Sequence, residues 1–121
     1  MLTWNEGHSL PIVLNEDTEG DGVVIRLRVP ADLFQFHGHF PQMKVLPGVA
    51  QLDWAVLFAR SHLGVAGAIV EVTQLKFRTL VTPETILDLH LKHWPEKNRV
   101  GFEFKDQNNV YSSGFLKMEV P

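Results

Sequence analysis

The chain contains no cysteine, no excess of basic residues and no long hydrophobic run, and each absence excludes a class of protein. Without cysteine there are no disulfide bonds, thiolate nucleophiles or cysteine-ligated metals, which fits a reducing compartment. A formal charge of −3 leaves no basic excess to neutralise nucleic-acid phosphates. No apolar run approaches the roughly 20 residues of a membrane-spanning helix. The N-terminal MLTWNEGHSL lacks the basic and apolar regions of a secretory signal, so we expect a cytoplasmic protein.

The composition is that of an ordinary globular domain. The chain has 121 residues, of which 45% are hydrophobic and 21% are charged. This length is sufficient for one hydrophobic core and too short for two, and no charge block or low-complexity linker interrupts the sequence. We therefore expect a single domain over residues 1–121.

Alternating apolar and polar residues predict several strands around one helix. In GVVIRLRV, Val23, Ile25, Leu27 and Val29 share one face, which is the period of a half-buried strand. The preceding TEGDG has turn chemistry, so this strand is expected to pair with an earlier one. The predicted strands lie near 9–15, 22–29, 68–79, 85–94, 98–106 and 110–119. An antiparallel sheet with one apolar helix is an α+β fold.

The central segment carries the first chemical signal. Between Leu52 and Ala59 every residue is apolar except Asp53, a pattern that predicts a helix buried on all sides around one carboxylate. Pro47 and Gly48 precede this run, where proline suits the helix start and the free N–H groups carry partial positive charge. Those N–H groups are suited to an oxyanion or a polarised carbonyl. A tight entry into a buried helix explains the same two residues without any ligand.

A histidine completes a possible acid–base pair. His39 lies 14 positions before Asp53, in the segment that leads into the helix. Each residue alone is also explained structurally, as a hydrogen-bonding loop histidine and as a buried acid bonded to backbone donors. His37 and His39 share a face if the segment is extended, which would suit a metal ion. Because no third ligand has suitable spacing, we expect no metal site.

The same segment resembles a known family. GHFPQMKVLPG followed by Leu52-Asp53 is similar to the active-site stretch of the 3-hydroxyacyl-acyl-carrier-protein dehydratases of the FabA/FabZ type, in which Gly-His-Phe leads to Pro-Gly and then to a glutamate or aspartate. The later LKFRTLVTPET is similar to the family's Lys-Phe-Arg strand and its proline-led turn. The resemblance extends from about residue 22 to the closing strands. It implies the hot-dog fold, an antiparallel sheet wrapped around one helix.

The resemblance also implies a reaction and roles for individual residues. Water is eliminated from a 3-hydroxyacyl thioester carried on a phosphopantetheine arm, and no cofactor is needed. His39 would take the proton from C2, Asp53 would protonate the departing hydroxyl, and the Gly48 N–H would stabilise the thioester oxygen. An apolar environment favours the protonated form of a carboxyl group, which suits Asp53 to this role. The substrate pocket would be formed by Phe40, Pro41, Pro47 and Leu57.

Two departures from the family pattern bear on activity. Lys44 stands where a proline is usual, and Leu57 stands where the family commonly has a glutamine that helps to hold the acid or a water. The short chain and Trp54 resemble the small ApeI-like aryl-polyene dehydratases. In that branch the substrate would be an aryl or polyene chain rather than a fatty acyl chain.

The resemblance implies two partners. One is an acidic acyl carrier protein, for which Lys44, Lys76 and Arg78 are candidate contacts, although such residues are usually only solvated surface. The other is a second subunit, because family members form dimers in which the histidine of one subunit faces the acid of the other. A homodimer and a heterodimer with a related dehydratase both fit. A hot-dog thioesterase and a non-catalytic subunit of a heteromeric dehydratase are alternative functions.

Overall fold

The computed structural model describes residues 9–33, 36 and 44–120, which form a six-stranded sheet and one long helix. The chain order is two strands, the helix and four further strands, with a short 3₁₀ turn over Pro95–Lys97. The elements are β1 Ile12–Glu19, β2 Gly22–Arg28, α1 Gly48–Leu63, β3 Ile69–Phe77, β4 Ile86–Trp94, β5 Arg99–Lys105 and β6 Val110–Met118. The predicted α+β class is confirmed.

The sheet is antiparallel throughout, with the strand order β1-β2-β4-β5-β6-β3. The predicted hairpin between the first two strands is confirmed, but the first strand lies further along the chain than residues 9–15. Gly20 adopts a left-handed φ of 59°, and this tight turn allows Glu19 to pair with Gly22. Residues 18 and 19 therefore belong to β1 rather than to a longer loop.

The core lies between α1 and one face of the sheet. Alternate residues of β2, β4 and β5 point into it, which confirms the period-two pattern read from β2. The buried residues of these strands are Val23, Ile25, Leu27, Leu87, Leu89, Leu91, Val100, Phe102 and Phe104. On the helix, the buried residues are Ala50, Gln51, Trp54, Ala55, Phe58 and Ala59. Only one side of α1 is buried in this chain.

The chain leaves α1 through a left-handed cap and enters the sheet at its far edge. Gly64 has a φ of 67°, which ends the helix, and β3 then pairs with β6. The β3–β6 register shifts between Thr73 and Lys76, where Gln74 has a positive φ of 52°. Most residues of β3 are exposed, and β6 pairs with only one of its two edges. Within the described residues, no helix has both the length and the apolar character needed to cross a membrane.

Candidate active site

The start of α1 provides an uncapped helix N-terminus. Pro47 precedes the helix in an extended conformation, and its carbonyl accepts the backbone N–H groups of Ala50 and Gln51 at 3.1 and 3.2 Å. Proline has no side-chain oxygen to cap the first turn, and that turn contains no acidic residue. The predicted helix start at Pro47-Gly48 is therefore confirmed. The Gly48 N–H has the partial positive charge that a developing oxyanion requires.

Gly48 is also in close contact with β3. A Cβ atom at this position would lie 2.6 Å from Cζ of Phe77 and 2.8 Å from its Cε1, well inside normal contact distance. The absence of a side chain at position 48 therefore allows the aromatic ring to lie against the first turn of the helix. Phe77 is 50% exposed, so the far end of its ring contacts the helix start while much of the side chain stays open. No local sequence pattern indicates this contact, because Phe77 is 29 positions from Gly48 in the chain.

Asp53 lies on the exposed side of α1, so the prediction of a helix buried on all sides is wrong for the single chain. Its neighbours one turn away on either side, Val49 and Leu57, are 67% and 43% exposed. The apolar composition predicted burial, but a single sheet packs against only one side of a helix. The carboxylate therefore lies in an exposed apolar stripe, and nothing in the described part of this chain covers it.

The proposed base and part of the pocket lie outside the described residues. These are His39, Phe40 and Pro41, together with His37 of the metal alternative. The pairing of His39 with Asp53 as base and acid therefore stays a prediction. Among the described residues, no three His, Asp or Glu side chains are grouped so that they could hold a metal ion.

A buried polar pair beneath the helix start was not anticipated. Gln51 is 4% exposed and Ser112 of β6 is fully buried. The Ser112 hydroxyl donates to Oε1 of Gln51 at 2.6 Å, and Nε2 of Gln51 donates to the carbonyl of Leu46 at 3.3 Å. The sequence could have indicated a buried glutamine, because Gln51 is next to Ala50 and three positions before Trp54, and this spacing places all three on the core-facing side of α1.

The β5–β6 turn supports the strand that carries Ser112. The Tyr111 hydroxyl donates a hydrogen bond to the Asp106 carboxylate, and the backbone N–H groups of Asn108 and Asn109 also donate to it, each at 2.8 Å. The bond from Tyr111 is the largest of the effects that lower the pKa of Asp106. Burial is the largest of those that raise the pKa of Tyr111. These contacts hold the turn next to the buried Ser112.

The three cations Lys44, Lys76 and Arg78, called here the docking cations, are all exposed. Lys76 lies near the end of β3, where it is paired in register with Ser113 of β6. The backbone N–H of Arg78 donates to the carbonyl of Tyr111 at 2.9 Å, so the chain remains attached to β6 just beyond β3. Lys76 and Arg78 therefore lie at the edge of the sheet, and Lys44 lies in the segment before α1.

Comparisons with known proteins agree with this architecture. A 3-hydroxyacyl-[acyl-carrier-protein] dehydratase FabZ of Novosphingobium aromaticivorans is 35% identical over 74 residues, which are 54% of this chain and 47% of that protein. The FabZ of Lactobacillus helveticus is 26% identical over 118 residues, covering 89% of this chain and 80% of the relative. The first of these matches thus spans about half the length of the curated relative.

Solved structures give the same result for the fold. The dehydratase heterocomplex ApeI:P from Xenorhabdus doucetiae superposes with a TM-score of 0.83 at 28% identity, over 90% of this chain and 97% of the matched chain. The dehydratase domain of the polyketide PpsC from Mycobacterium tuberculosis has a TM-score of 0.65 at 20% identity, covering 94% of this chain and 45% of that one. The sheet wrapped along α1 is the hot-dog fold.

The family itself is shown by a match over most of the chain. The family model named ApeI-like, and described as ApeI dehydratase, matches residues 15–115. This range includes α1 and the segment before it, and it reaches into β6. The chain therefore belongs to the ApeI-like dehydratase family.

Proposed function

We propose that the protein dehydrates a 3-hydroxyacyl thioester on an acyl carrier protein to the trans-2-enoyl thioester. The observation that carries this proposal is the arrangement on α1, in a chain of the ApeI-like family. An uncapped N-terminus at Gly48 is followed five residues later by the exposed carboxyl group of Asp53. The family favours an aryl or polyene acyl chain over a simple fatty acyl chain, whereas Trp54 is buried on the core side of α1 and does not face the acid.

In the proposed mechanism, each residue handles one part of the elimination. Neutral His39 accepts the proton from C2, because imidazole is a base of suitable strength near neutral pH. The electrons of the C2–H bond form the C2–C3 double bond as the C3–O bond breaks. The hydroxyl leaves with a proton from Asp53 as water. The Gly48 N–H stabilises the negative charge that develops on the thioester oxygen.

The pocket residues surround this reaction on several sides. Pro47 and Leu57 belong to the described part, one at the helix start and one a turn beyond the acid, while Phe40 and Pro41 would complete the wall beside His39. Phe77 adds an aromatic surface against Gly48. None of these steps uses a cofactor or metal ion.

We propose that a second hot-dog subunit covers the exposed stripe on α1. Val49 and Leu57 expose large apolar surfaces beside Asp53, and Leu75 and Phe77 on the edge strand β3 are 39% and 50% exposed. Covering this surface would bury the apolar stripe and remove water from around the carboxyl group. A homodimer is the simplest arrangement, with His39 of one subunit facing Asp53 of the other. The heterocomplex named for the Xenorhabdus neighbour supports a heterodimer as the alternative.

The carrier protein would approach the docking cations, because carrier proteins are acidic and these side chains are exposed. The reaction would take place in the cytoplasm, as the sequence predicts. We also propose that residues 1–121 act as one domain.

The test is turnover of a 3-hydroxyacyl pantetheine thioester by the purified protein in the presence of EDTA. We expect enoyl absorbance to appear without release of free thiol. His39→Ala and Asp53→Asn should each reduce the rate by about 100-fold or more, the usual cost of removing a general acid or base. His90→Ala, on the outer face of the sheet, is the matched control and should retain full activity.

Other outcomes would assign the protein differently. Release of free thiol without enoyl product would indicate a thioesterase. Neither signal, from folded protein alone, would indicate a non-catalytic subunit, and unimpaired turnover in either variant would refute the proposed acid–base pair.

A further inference from the structure

The buried pair of Gln51 and Ser112 is out of place in an otherwise apolar contact between α1 and the sheet. The other buried residues of the helix are alanine, tryptophan and phenylalanine. A glutamine among them is stable only if both ends of its amide are bonded, because a buried polar group without a partner is costly. Both ends are bonded here, to the Ser112 hydroxyl at 2.6 Å and to the carbonyl of Leu46 at 3.3 Å.

The bond to Leu46 fixes the backbone two residues before Gly48. The N–H of Leu46 donates to the carbonyl of Val81 at 2.8 Å, so both backbone polar groups of this residue are held. Its side chain is 1% exposed and contributes to the core. The backbone N–H of Gln51 also donates to the carbonyl of Pro47. Gln51 therefore holds two consecutive carbonyl groups immediately before Gly48.

The bond to Ser112 connects this segment to the strand that also places Phe77. Ser112 pairs in register with Phe77 on one side and Phe104 on the other. The hydrogen bonds from Ser112 to Gln51 and from Gln51 to Leu46 are called the tether. Since the Phe77 ring lies against Gly48, the same position of β6 is next to this ring and is also the start of the tether. The backbone just before Gly48 is thus held by Gln51, and the Phe77 ring lies against Gly48 itself.

Stability alone does not require a polar pair at this place. Two apolar residues of similar size would fill the same volume, and replacing both partners of a buried hydrogen bond in this way is often nearly neutral. Hydrogen bonds, unlike apolar packing, are directional, so they hold the backbone of residues 46–48 in one orientation.

We propose that Gln51 and Ser112 are positioning residues that aim the Gly48 N–H at the thioester oxygen as its negative charge develops. This inference rests on the proposed dehydration. A donor that is aimed at the transition state acts on kcat rather than on substrate binding. Loss of the tether should lower kcat by about 10-fold or more with little change in KM, since a small misplacement of a catalytic donor is costly.

The experiment compares wild-type protein with the double variant Gln51→Met, Ser112→Ala and with Gln51→Met alone. Phe58→Leu is the control, because it perturbs a buried residue of α1 almost two turns beyond Gln51. Each protein is measured for kcat and KM with the pantetheine substrate, for urea unfolding, and for the NMR shift and hydrogen exchange of the Gly48 amide. We expect kcat to fall and the Gly48 amide to change in the tether variants but not in Phe58→Leu.

The outcomes separate this inference from the proposed function. Full kcat and an unchanged Gly48 amide in both tether variants would overturn it, and so would failure of both variants to fold, since the pair would then be a structural requirement. If wild-type protein is inactive, the proposed dehydration fails. The role of the two residues in holding the helix start is then tested only by the NMR shift and hydrogen exchange of the Gly48 amide. A changed Gly48 amide then supports the tether, and an unchanged one overturns it.

Discussion

Gly48→Ala tests whether the start of α1 must be free of side chains. The new methyl group would lie 2.6 Å from Cζ of Phe77, whereas carbon atoms in contact are about 3.5 Å or more apart, so the ring must retreat by about 1 Å. Overpacking usually costs about 1–3 kcal/mol, and the cost should be near the lower limit because Phe77 is 50% exposed and its ring can tilt outward.

Helix propensity opposes this loss. Alanine is up to about 1 kcal/mol more favourable than glycine within a helix, and less so in the first turn. The free energy of unfolding should therefore change by less than about 1 kcal/mol. The displaced ring and the methyl group would stand beside the Gly48 N–H, so kcat/KM for dehydration should fall by about 10-fold or more.

A double-mutant cycle with Phe77→Ala separates the clash from other effects. In the Phe77→Ala background the methyl group meets no ring, so Gly48→Ala should cost less activity there than in the wild type. Contacting residues typically couple by about 0.5–3 kcal/mol. The cycle is measured by urea unfolding and by steady-state kinetics on the same four proteins. Full activity of Gly48→Ala, or strict additivity with Phe77→Ala, would refute the reasoning.

Three further predictions concern assembly, docking and pH. Co-refolding of His39→Ala with Asp53→Asn should restore about a quarter of wild-type activity, because about half the dimers are mixed and each has one intact site; no recovery despite mixed dimers in native mass spectrometry would exclude a shared site. Charge reversal of the docking cations should raise KM for carrier-bound substrate and leave pantetheine substrates unaffected, while equal effects on both would argue against docking. Asp106→Ala should lower stability by about 1 kcal/mol at neutral pH, a modest loss because the carboxylate is partly exposed. The pKa of Asp106 is lowered in the folded protein, so the stability difference between wild type and Asp106→Ala should be complete above the ordinary pKa of 3.8. The difference should diminish as the pH falls through the folded pKa. A constant difference in urea unfolding down to about pH 2 would contradict this prediction.

The local pattern of the chain was sufficient for the fold class. Apolar alternation in β2 follows directly from which face of a strand meets the core, and Pro47-Gly48 correctly predicted where α1 begins. The first strand was placed too early because composition alone does not show that the turn at Gly20 is short enough for Glu19 to pair. The spacing of His39 and Asp53 indicated the family before any contact was known.

Tertiary structure decided which side of α1 is covered and what surrounds its first turn. An apolar helix has the same composition whether it is covered by its own sheet or by another subunit, so the sequence could not show that Asp53 is exposed in one chain. Two contacts join residues far apart along the chain, those of Phe77 with Gly48 and of Ser112 with Gln51. The first contact depends on the strand order that places β3 beside β6 and the second on the packing of α1 against β6, and neither is set by a local pattern.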